Sequence, residues 1–213
     1  MNKETMTVHK ALSELKVLDD RINKAANAYP FVFANKHSNV TVNGWPIQQY
    51  IAEVKASYQS CTDLIVRRSA IKRAVMMSNA VTKVTIGGIE YTVAEAIEFK
   101  NNALPLWRGL LGKMERDNID AQSIAKRMNG DALEAKADAY VKSLYESADM
   151  KNASDEVKKV RADFVTSQTT EIVDPVGITE AMKELKDKID AFTVDVDSAL
   201  SVSNALTTIE IEY

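Results

Sequence analysis

The chain contains the same helix-to-strand transition twice, and this duplication constrains its fold more than any other feature of the sequence. The segment SNAVTKVTI spans residues 78–86, and SNALTTIEI spans residues 203–211. Each follows a stretch with apolar residues at helical spacing and then alternates between apolar and polar residues, as strands do. The sequence therefore predicts two long helices that lie side by side and are each followed by a strand of one small shared sheet.

Apolar residues recur every three or four positions along three segments of the chain, namely residues 8–29, 47–78 and 182–206. This spacing predicts long helices that pack along a continuous seam, as in an antiparallel coiled-coil hairpin. Asn79 and Asn204 are predicted to end two of these helices, because asparagine tolerates the left-handed conformation beyond a helix C-terminus.

A β-hairpin is predicted at residues 84–91, where two alternating runs flank Gly87-Gly88. Both glycines can adopt positive φ, which a two-residue hairpin turn requires. A helix is expected to start at Thr92, since a glutamate follows three residues later and completes a capping box. The last strand, residues 207–213, is expected to pair with this hairpin.

The predicted fold class is mainly α, with a long antiparallel helical hairpin or coiled-coil bundle, a small antiparallel β-sheet at one end and an inserted helical arm. The core is assigned to residues 1–111 and 167–213, and the arm to residues 112–166, where charge is high and the apolar stripe is thin. The segment TTEIV, residues 169–173, is predicted as a strand that leads into the last helix.

The composition excludes some classes of protein. A net charge of −3 gives no basic footprint for nucleic acid, and the local cations Arg67, Arg68, Lys72 and Arg73 fit a solvated helix face. The single cysteine, Cys61, favours a reducing compartment.

Because the chain has no apolar run near the ~20 residues that span a bilayer and no signal-peptide pattern, we expect a soluble cytoplasmic protein without membrane contact.

Residue patterns for catalysis or metal binding are missing from the sequence. His9 and His37 have no histidine or cysteine at zinc-site spacing. Gly87-Gly88 lacks the lysine of a phosphate-binding loop, and no GxSxG nucleophile turn occurs. We therefore expect no enzyme activity, no cofactor and no metal.

Two groups of residues are candidate contacts with other subunits, because aromatic side chains and open strand edges are frequent at interfaces. For the aromatic group, capping of the helical core and contact with a membrane or ligand remain alternatives. The candidates are Tyr29, Phe31, Phe33 and Trp45 in the aromatic group, and Ile209, Ile211 and Tyr213 in the last strand.

Three stretches of the chain resemble a small bacterial and phage family labelled septicolysin-like. They are SNAVTKVTIGGIEYTVAEAI, the lead VDPVGI into the last helix, and the terminal SNALTT. The resemblance implies a helical hairpin with an Asn-then-Thr helix ending and a glycine turn, and its label implies a cytolysin. The chain also has a general likeness to structural proteins of tailed-phage particles. Neither resemblance implies a catalytic residue.

These observations together predict a non-catalytic structural protein that forms a homo-oligomer through protein–protein contacts. Its expected partners are other copies of itself and other virion proteins, and its expected location is a tailed-phage virion assembled in the host cytoplasm. The alternative is a membrane-active protein of the septicolysin type.

Overall fold

The computed structural model of the chain describes residues 3–145 and 154–213 and is mainly α-helical with short antiparallel strand pairs, as the sequence predicts. The chain divides into two compact units, Met1–Ala103 with Ala191–Tyr213, and Leu104–Asp190. The domain bounds drawn from the sequence stay a prediction, and residues 146–153 of the predicted arm lie outside the described residues.

The first unit contains both copies of the helix-to-strand transition. Its elements in chain order are β1 (Lys3–Thr7), α1 (Val8–Ala26), β2 (Thr41–Val42), β3 (Trp45–Pro46), α2 (Ile47–Val81), β4 (Lys83–Ile86), β5 (Ile89–Thr92), α3 (Val93–Glu98), a π-helical turn (Phe99–Ala103), the part of α7 (Ile178–Leu206) from residue 191, and β6 (Thr208–Glu212).

The second unit is helical and is held by contacts between α5 and α6. Its elements are α4 (Leu104–Met128), α5 (Gly130–Leu144), α6 (Asp155–Gln168) and residues 178–190 of α7. Tyr140 stacks on Phe164 with ring centroids 4.6 Å apart, and Asn129 exchanges hydrogen bonds of 2.8 and 3.0 Å with the backbone of Thr170. The predicted strand at residues 169–173 is wrong, since this segment is irregular.

The predicted helical hairpin forms from α1 and α2, which pack antiparallel. Leu15 and Leu18 of α1 are buried in one cluster with Ile71 and Val75 of α2. Near the other end of the pair, the hydroxyl of Ser57 donates a 2.6 Å hydrogen bond to a backbone carbonyl of α1. This hydrogen bond satisfies the polar group that the seam of α2 buries.

The strand pairing differs from the sequence expectation of one shared sheet. Among the described residues, β6 pairs with β1 and β4 pairs with β5, so the two helix-to-strand transitions end in separate two-stranded sheets. The N-terminal strand β1 was missed because KETMT is short and precedes the helix directly. Its pairing with β6 leaves the Gly87-Gly88 hairpin to form a sheet of its own.

The two sheets nevertheless repeat one plan, which we call the hairpin motif (residues 78–99) and the terminal motif (residues 203–213 with 3–14). Each consists of a helix end, two antiparallel strands and a helix start. The corresponding cross-strand pairs are Lys83–Thr92 and Thr208–Thr7, Val84–Tyr91 and Ile209–Met6, Thr85–Glu90 and Glu210–Thr5, and Ile86–Ile89 and Ile211–Glu4. The two repeated sequence segments therefore form strand pairs with equivalent register.

Hydrogen bonds at the helix ends are also repeated. The amide of Val93 donates to the Thr82 carbonyl at 2.8 Å, and the amide of Val8 donates to the Thr207 carbonyl at 2.9 Å. The predicted asparagine helix stops are wrong, because each helix continues for two further residues past its asparagine and a threonine ends it. The amides of Thr82 and Thr207 donate 2.9 Å hydrogen bonds to the carbonyls of Ser78 and Ser203, and these threonines lead the chain from the helix into the strand.

Pro105 lies just after the π-helical turn Phe99–Ala103, and the helix continues beyond it to Met128. Proline lacks an amide hydrogen and crowds the preceding turn. A π-turn widens the helix by one residue at that place. The chain therefore accommodates Pro105 without ending the helix.

Candidate interaction surface

The outer edge of β6 in the strand pair β1/β6 is not covered by another strand within the described residues. Because the Val8 amide bonds to the Thr207 carbonyl, alternation along an antiparallel ladder directs the backbone groups of Ile209 and Ile211 toward β1. The residues of β6 whose backbone amides and carbonyls face away from β1 are then Thr208, Glu210 and Glu212. We call this row the open edge of β6.

An apolar groove of about 720 Å³ runs beside the open edge of β6. One wall is the end of β6 and the other is α2, whose side chains Ile65, Val66 and Met77 are 46%, 52% and 67% exposed. Arg73 also lines the groove and forms no ion pair with the described residues. Exposed apolar side chains beside unpaired backbone groups are the features of a surface that receives an additional strand.

Arg67 of α2 connects the parts of the terminal motif. Its guanidinium donates to Glu14 of α1 and to Glu4 of β1, with distances of 2.9 Å to an oxygen of each carboxylate. It also donates to the hydroxyl of Tyr213 and lies 4.8 Å from the centre of that ring. This one side chain, 18% exposed, thereby connects β1 and α1 with Tyr213, which follows β6, although no turn joins β1 to β6.

The ionisation of this cluster follows from its hydrogen bonds. The hydrogen bonds from Arg67 hold the pKa of Glu14 and the pKa of Glu4 below the usual range of a glutamate. The same bonds, that to Glu14 first, raise the pKa of Arg67 above its ordinary value. All three groups are therefore charged at neutral pH, and the cluster loses its carboxylate charges only in acid.

The candidate contact residues of the last strand lie in this surface, but their side chains point inward. Ile209 and Ile211 are 6% and 2% exposed and belong to the core of the first unit. Tyr213 is partly buried on Arg67. What the strand leaves accessible to another molecule is therefore its backbone edge and the outward carboxylates of Glu210 and Glu212.

The aromatic candidates are gathered around the first turns of α2. Tyr29 and Phe33 both meet the buried ring of Tyr50 edge to face, with centroids 5.7 and 5.0 Å away. The remaining two are more exposed, Phe31 at 46% and Trp45 at 43%. Tyr29 and Phe33 thus cap the helical pair, whereas Phe31 and Trp45 keep surface that a subunit, ligand or membrane contact would use.

Sequence reasoning missed the two elements that define the surface, namely Arg67 and the groove. Arg67 was expected on a solvated helix face because it lies in a run of cations, whereas it is enclosed by carboxylates. A signal was present in the repeat: a shift of 125 residues aligns Ser78 with Ser203 and aligns Arg67 with Phe192, which lies on the apolar seam of the last helix. The groove left no signal, because it depends on where β6 pairs.

The described residues contain no cluster of three or more histidine, cysteine or acidic side chains that would hold a metal ion. His9 and His37 are both exposed, the first in the first turn of α1 and the second in an irregular segment. Cys61 is partly buried on α2 and has no disulfide partner. Within the part of the chain that the structure describes, none of these three side chains belongs to a metal-ligand cluster or a disulfide.

Within residues 3–145 and 154–213, no helix combines the length and the apolar character needed to cross a membrane. Comparison of the chain with protein-family models, with curated proteins and with solved structures finds no match. The resemblances to septicolysin-like and phage structural proteins therefore stay predictions.

Proposed function

We propose that the chain is a non-catalytic structural protein that self-associates through its terminal motif. The observation that carries this proposal is the open edge of β6 beside the apolar groove on α2. An added strand would satisfy the backbone groups of Thr208, Glu210 and Glu212 and would cover Val66 and Met77. Both effects favour association, since unpaired strand edges and apolar surface are each stabilised by a partner.

The setting that we propose for this assembly is the particle of a tailed phage. Support comes from the general likeness in the sequence and from the long helices of the first unit, which suit extended contacts between subunits. Flanking capsid or tail genes in the genome that encodes the chain, and recovery of the chain in purified particles, are the expected results. Flanking genes of metabolism and particles that lack the chain would contradict this setting.

Sedimentation velocity over a concentration series tests self-association. We expect the wild-type chain to form oligomers at micromolar concentration, and a chain that remains monomeric up to about 1 mM would contradict the proposal. Met77→Asp should weaken association at least about tenfold by placing a charge in the groove.

Met76→Asp is the matched control for this experiment, because Met76 is 68% exposed and does not line the groove, whereas Met77 is 67% exposed and does. Met76→Asp should associate like the wild type. Equal effects of the two variants would show that the groove is not the contact surface.

A membrane-active protein is the second candidate, and the observation that favours it is the exposed apolar surface of the segment between α1 and α2. Val32, Val40 and Trp45 are 89%, 77% and 43% exposed there, and such patches mark contacts with membranes or proteins. Co-sedimentation with anionic and zwitterionic liposomes should detect binding that Trp45→Ser weakens. Absence of both binding and leakage would remove this candidate.

A further inference from the structure

We propose that the contact between copies joins the open edge of β6 in one copy to the outer edge of β4 in the next. This inference rests on the proposed function, and it adds which two surfaces meet. The result would be a continuous four-stranded sheet, in the order β1, β6, β4, β5, with the first two strands from one copy and the last two from its neighbour.

The outer edge of β4 is open for the same reason as that of β6. The Val93 amide bonds to the Thr82 carbonyl, which sets the ladder so that the backbone groups of Lys83 and Thr85 face away from β5. Within the described residues no strand covers this edge. At its end, the amide of Gly87 donates to the carboxylate of Asp195 on α7 at 3.2 Å, so the accessible part is Lys83 to Ile86.

Charge in the strand layer favours β4 over a second β6 as the partner of β6. The open edge of β6 carries Glu210 and Glu212, so pairing of β6 with β6 of a second copy would set carboxylates against each other. The edge of β4 carries Lys83, which is exposed and held by Glu90 at 2.6 Å. Antiparallel pairing sets Lys83 opposite Glu210 in one register and opposite Glu212 in the other. Opposite charges across strands stabilise a sheet, and like charges destabilise it.

The helices behind the two edges are complementary as well. Arg73 on α2 lines the groove beside β6, whereas Asp195 on α7 lies beside β4. Val66 also lines the groove on α2 and is 52% exposed, and Val194, the neighbour of Asp195 in the sequence of α7, is 77% exposed. A joined sheet would thus be backed by α2 of one copy and α7 of the next, with opposite charges and apolar surface in the same layer.

This contact is heterologous, because it uses different surfaces on the two copies. After the first contact forms, one copy retains its free β4 edge and the other retains its free β6 edge. Repetition of the contact therefore produces a ring or an open filament rather than a closed two-fold dimer.

Charge reversal on one edge at a time tests this pairing. The first variant, Glu210→Lys with Glu212→Lys, makes the β6 edge basic. The second, Lys83→Glu with Glu90→Lys, makes the β4 edge acidic and keeps the ion pair across the hairpin. Each variant alone should associate at least about tenfold more weakly than the wild type in sedimentation velocity at low salt, because its two edges then carry like charge.

A mixture of the two variants in equal amounts is the decisive measurement. The basic β6 edge of the first matches the acidic β4 edge of the second, and the remaining two edges also match, so association should return to within about threefold of the wild type. Recovery would also show that both variants fold.

The possible outcomes separate this inference from the proposed function. Two variants that each associate like the wild type, or a mixture that stays monomeric, would overturn the pairing of β6 with β4 while leaving self-association in place. A wild-type chain that never associates would overturn both.

Discussion

In the hairpin motif, Phe192 of α7 packs against Tyr91 and Phe99 with ring centroids 5.8 and 4.5 Å away. At the corresponding place in the terminal motif, Arg67 of α2 binds Glu14 and Glu4. The correspondence is positional: a shift of 125 residues relates Phe192 to Arg67, and a shift of 85 residues relates Phe99 to Glu14. The two motifs therefore share one backbone arrangement, which aromatic contacts stabilise in the hairpin motif and ion pairs stabilise in the terminal motif.

The difference teaches how each motif keeps its two strands together. In the hairpin motif, Gly87 and Gly88 join the strands covalently, with φ of 56° and 79°, and the helix adds apolar burial. In the terminal motif the strands come from opposite ends of the sequence, and Arg67 connects them through directed hydrogen bonds. Ion pairs weaken with acid and salt, whereas aromatic packing does not. The terminal motif should therefore be the one that responds to solution conditions.

The largest expected effect is that of Phe192→Ala in the hairpin motif. Phe192 is 4% exposed, and its truncation should lower the free energy of unfolding by about 3–5 kcal/mol. Urea denaturation followed by circular dichroism measures this. Val194→Ala, two residues away and 77% exposed, should change stability by less than about 0.5 kcal/mol, and equal effects would show that the aromatic cluster does not hold the helix.

Arg67→Met in the terminal motif should cost about 2 kcal/mol at neutral pH, since it removes several charge-assisted hydrogen bonds from a side chain that is mostly enclosed. Because the pKa values of Glu4 and Glu14 are lowered in the folded state, their contribution is full above the ordinary glutamate pKa of 4.5. It is lost as pH falls through the lowered values.

Urea titrations at pH 7 and pH 3 therefore distinguish the ion pairs of the terminal motif from the aromatic contacts of the hairpin motif. The difference between wild type and Arg67→Met should shrink at pH 3, whereas the difference between wild type and Phe192→Ala should persist. An Arg67→Met penalty that is as large at pH 3 as at pH 7 would contradict the ionic account of the terminal motif.

Alanine substitutions at the two turn glycines test how closely α7 approaches the turn of the hairpin motif. A Cβ at Gly87 would lie 3.2 Å from the Cβ of Ala191, whereas a Cβ at Gly88 has nothing within 4 Å. Both substitutions force alanine to positive φ, so we expect losses of about 2 kcal/mol for Gly87→Ala and about 1 kcal/mol for Gly88→Ala. Equal losses in thermal unfolding would show that α7 does not approach the turn as described.

The smallest expected effect is that of Thr7→Ala at the start of α1, which is compared with Thr92→Ala at the start of α3. Thr92 and Glu95 form a complete capping box, whereas Thr7 accepts a hydrogen bond from the Lys10 amide and lacks a glutamate at the third position. Thr92→Ala should therefore cost about 1–2 kcal/mol and Thr7→Ala about 0.5–1 kcal/mol. A reversed order in urea denaturation would contradict the difference between the two starts.

The sequence by itself determined the helices, the Gly-Gly hairpin, the capping box at Thr92 and the existence of two helix-to-strand transitions. These features follow from local rules, namely the spacing of apolar residues, positive φ at glycine and the reach of a capping side chain. The sequence also predicted a last strand at residues 207–213 and named Ile209, Ile211 and Tyr213 as candidate contacts, because an open strand edge can be extended by another subunit.

The tertiary structure alone decided that β6 pairs with β1, that Arg67 is enclosed by Glu4 and Glu14, and that the groove on α2 lies beside β6. Each of these depends on segments that are far apart in sequence, and alternation of apolar residues fixes which face of a strand is buried but not which strand it meets. An arginine within a run of cations likewise has the same local pattern whether it faces water or two carboxylates. Long-range packing settled both choices, because it placed the terminal strands against the C-terminal half of α2.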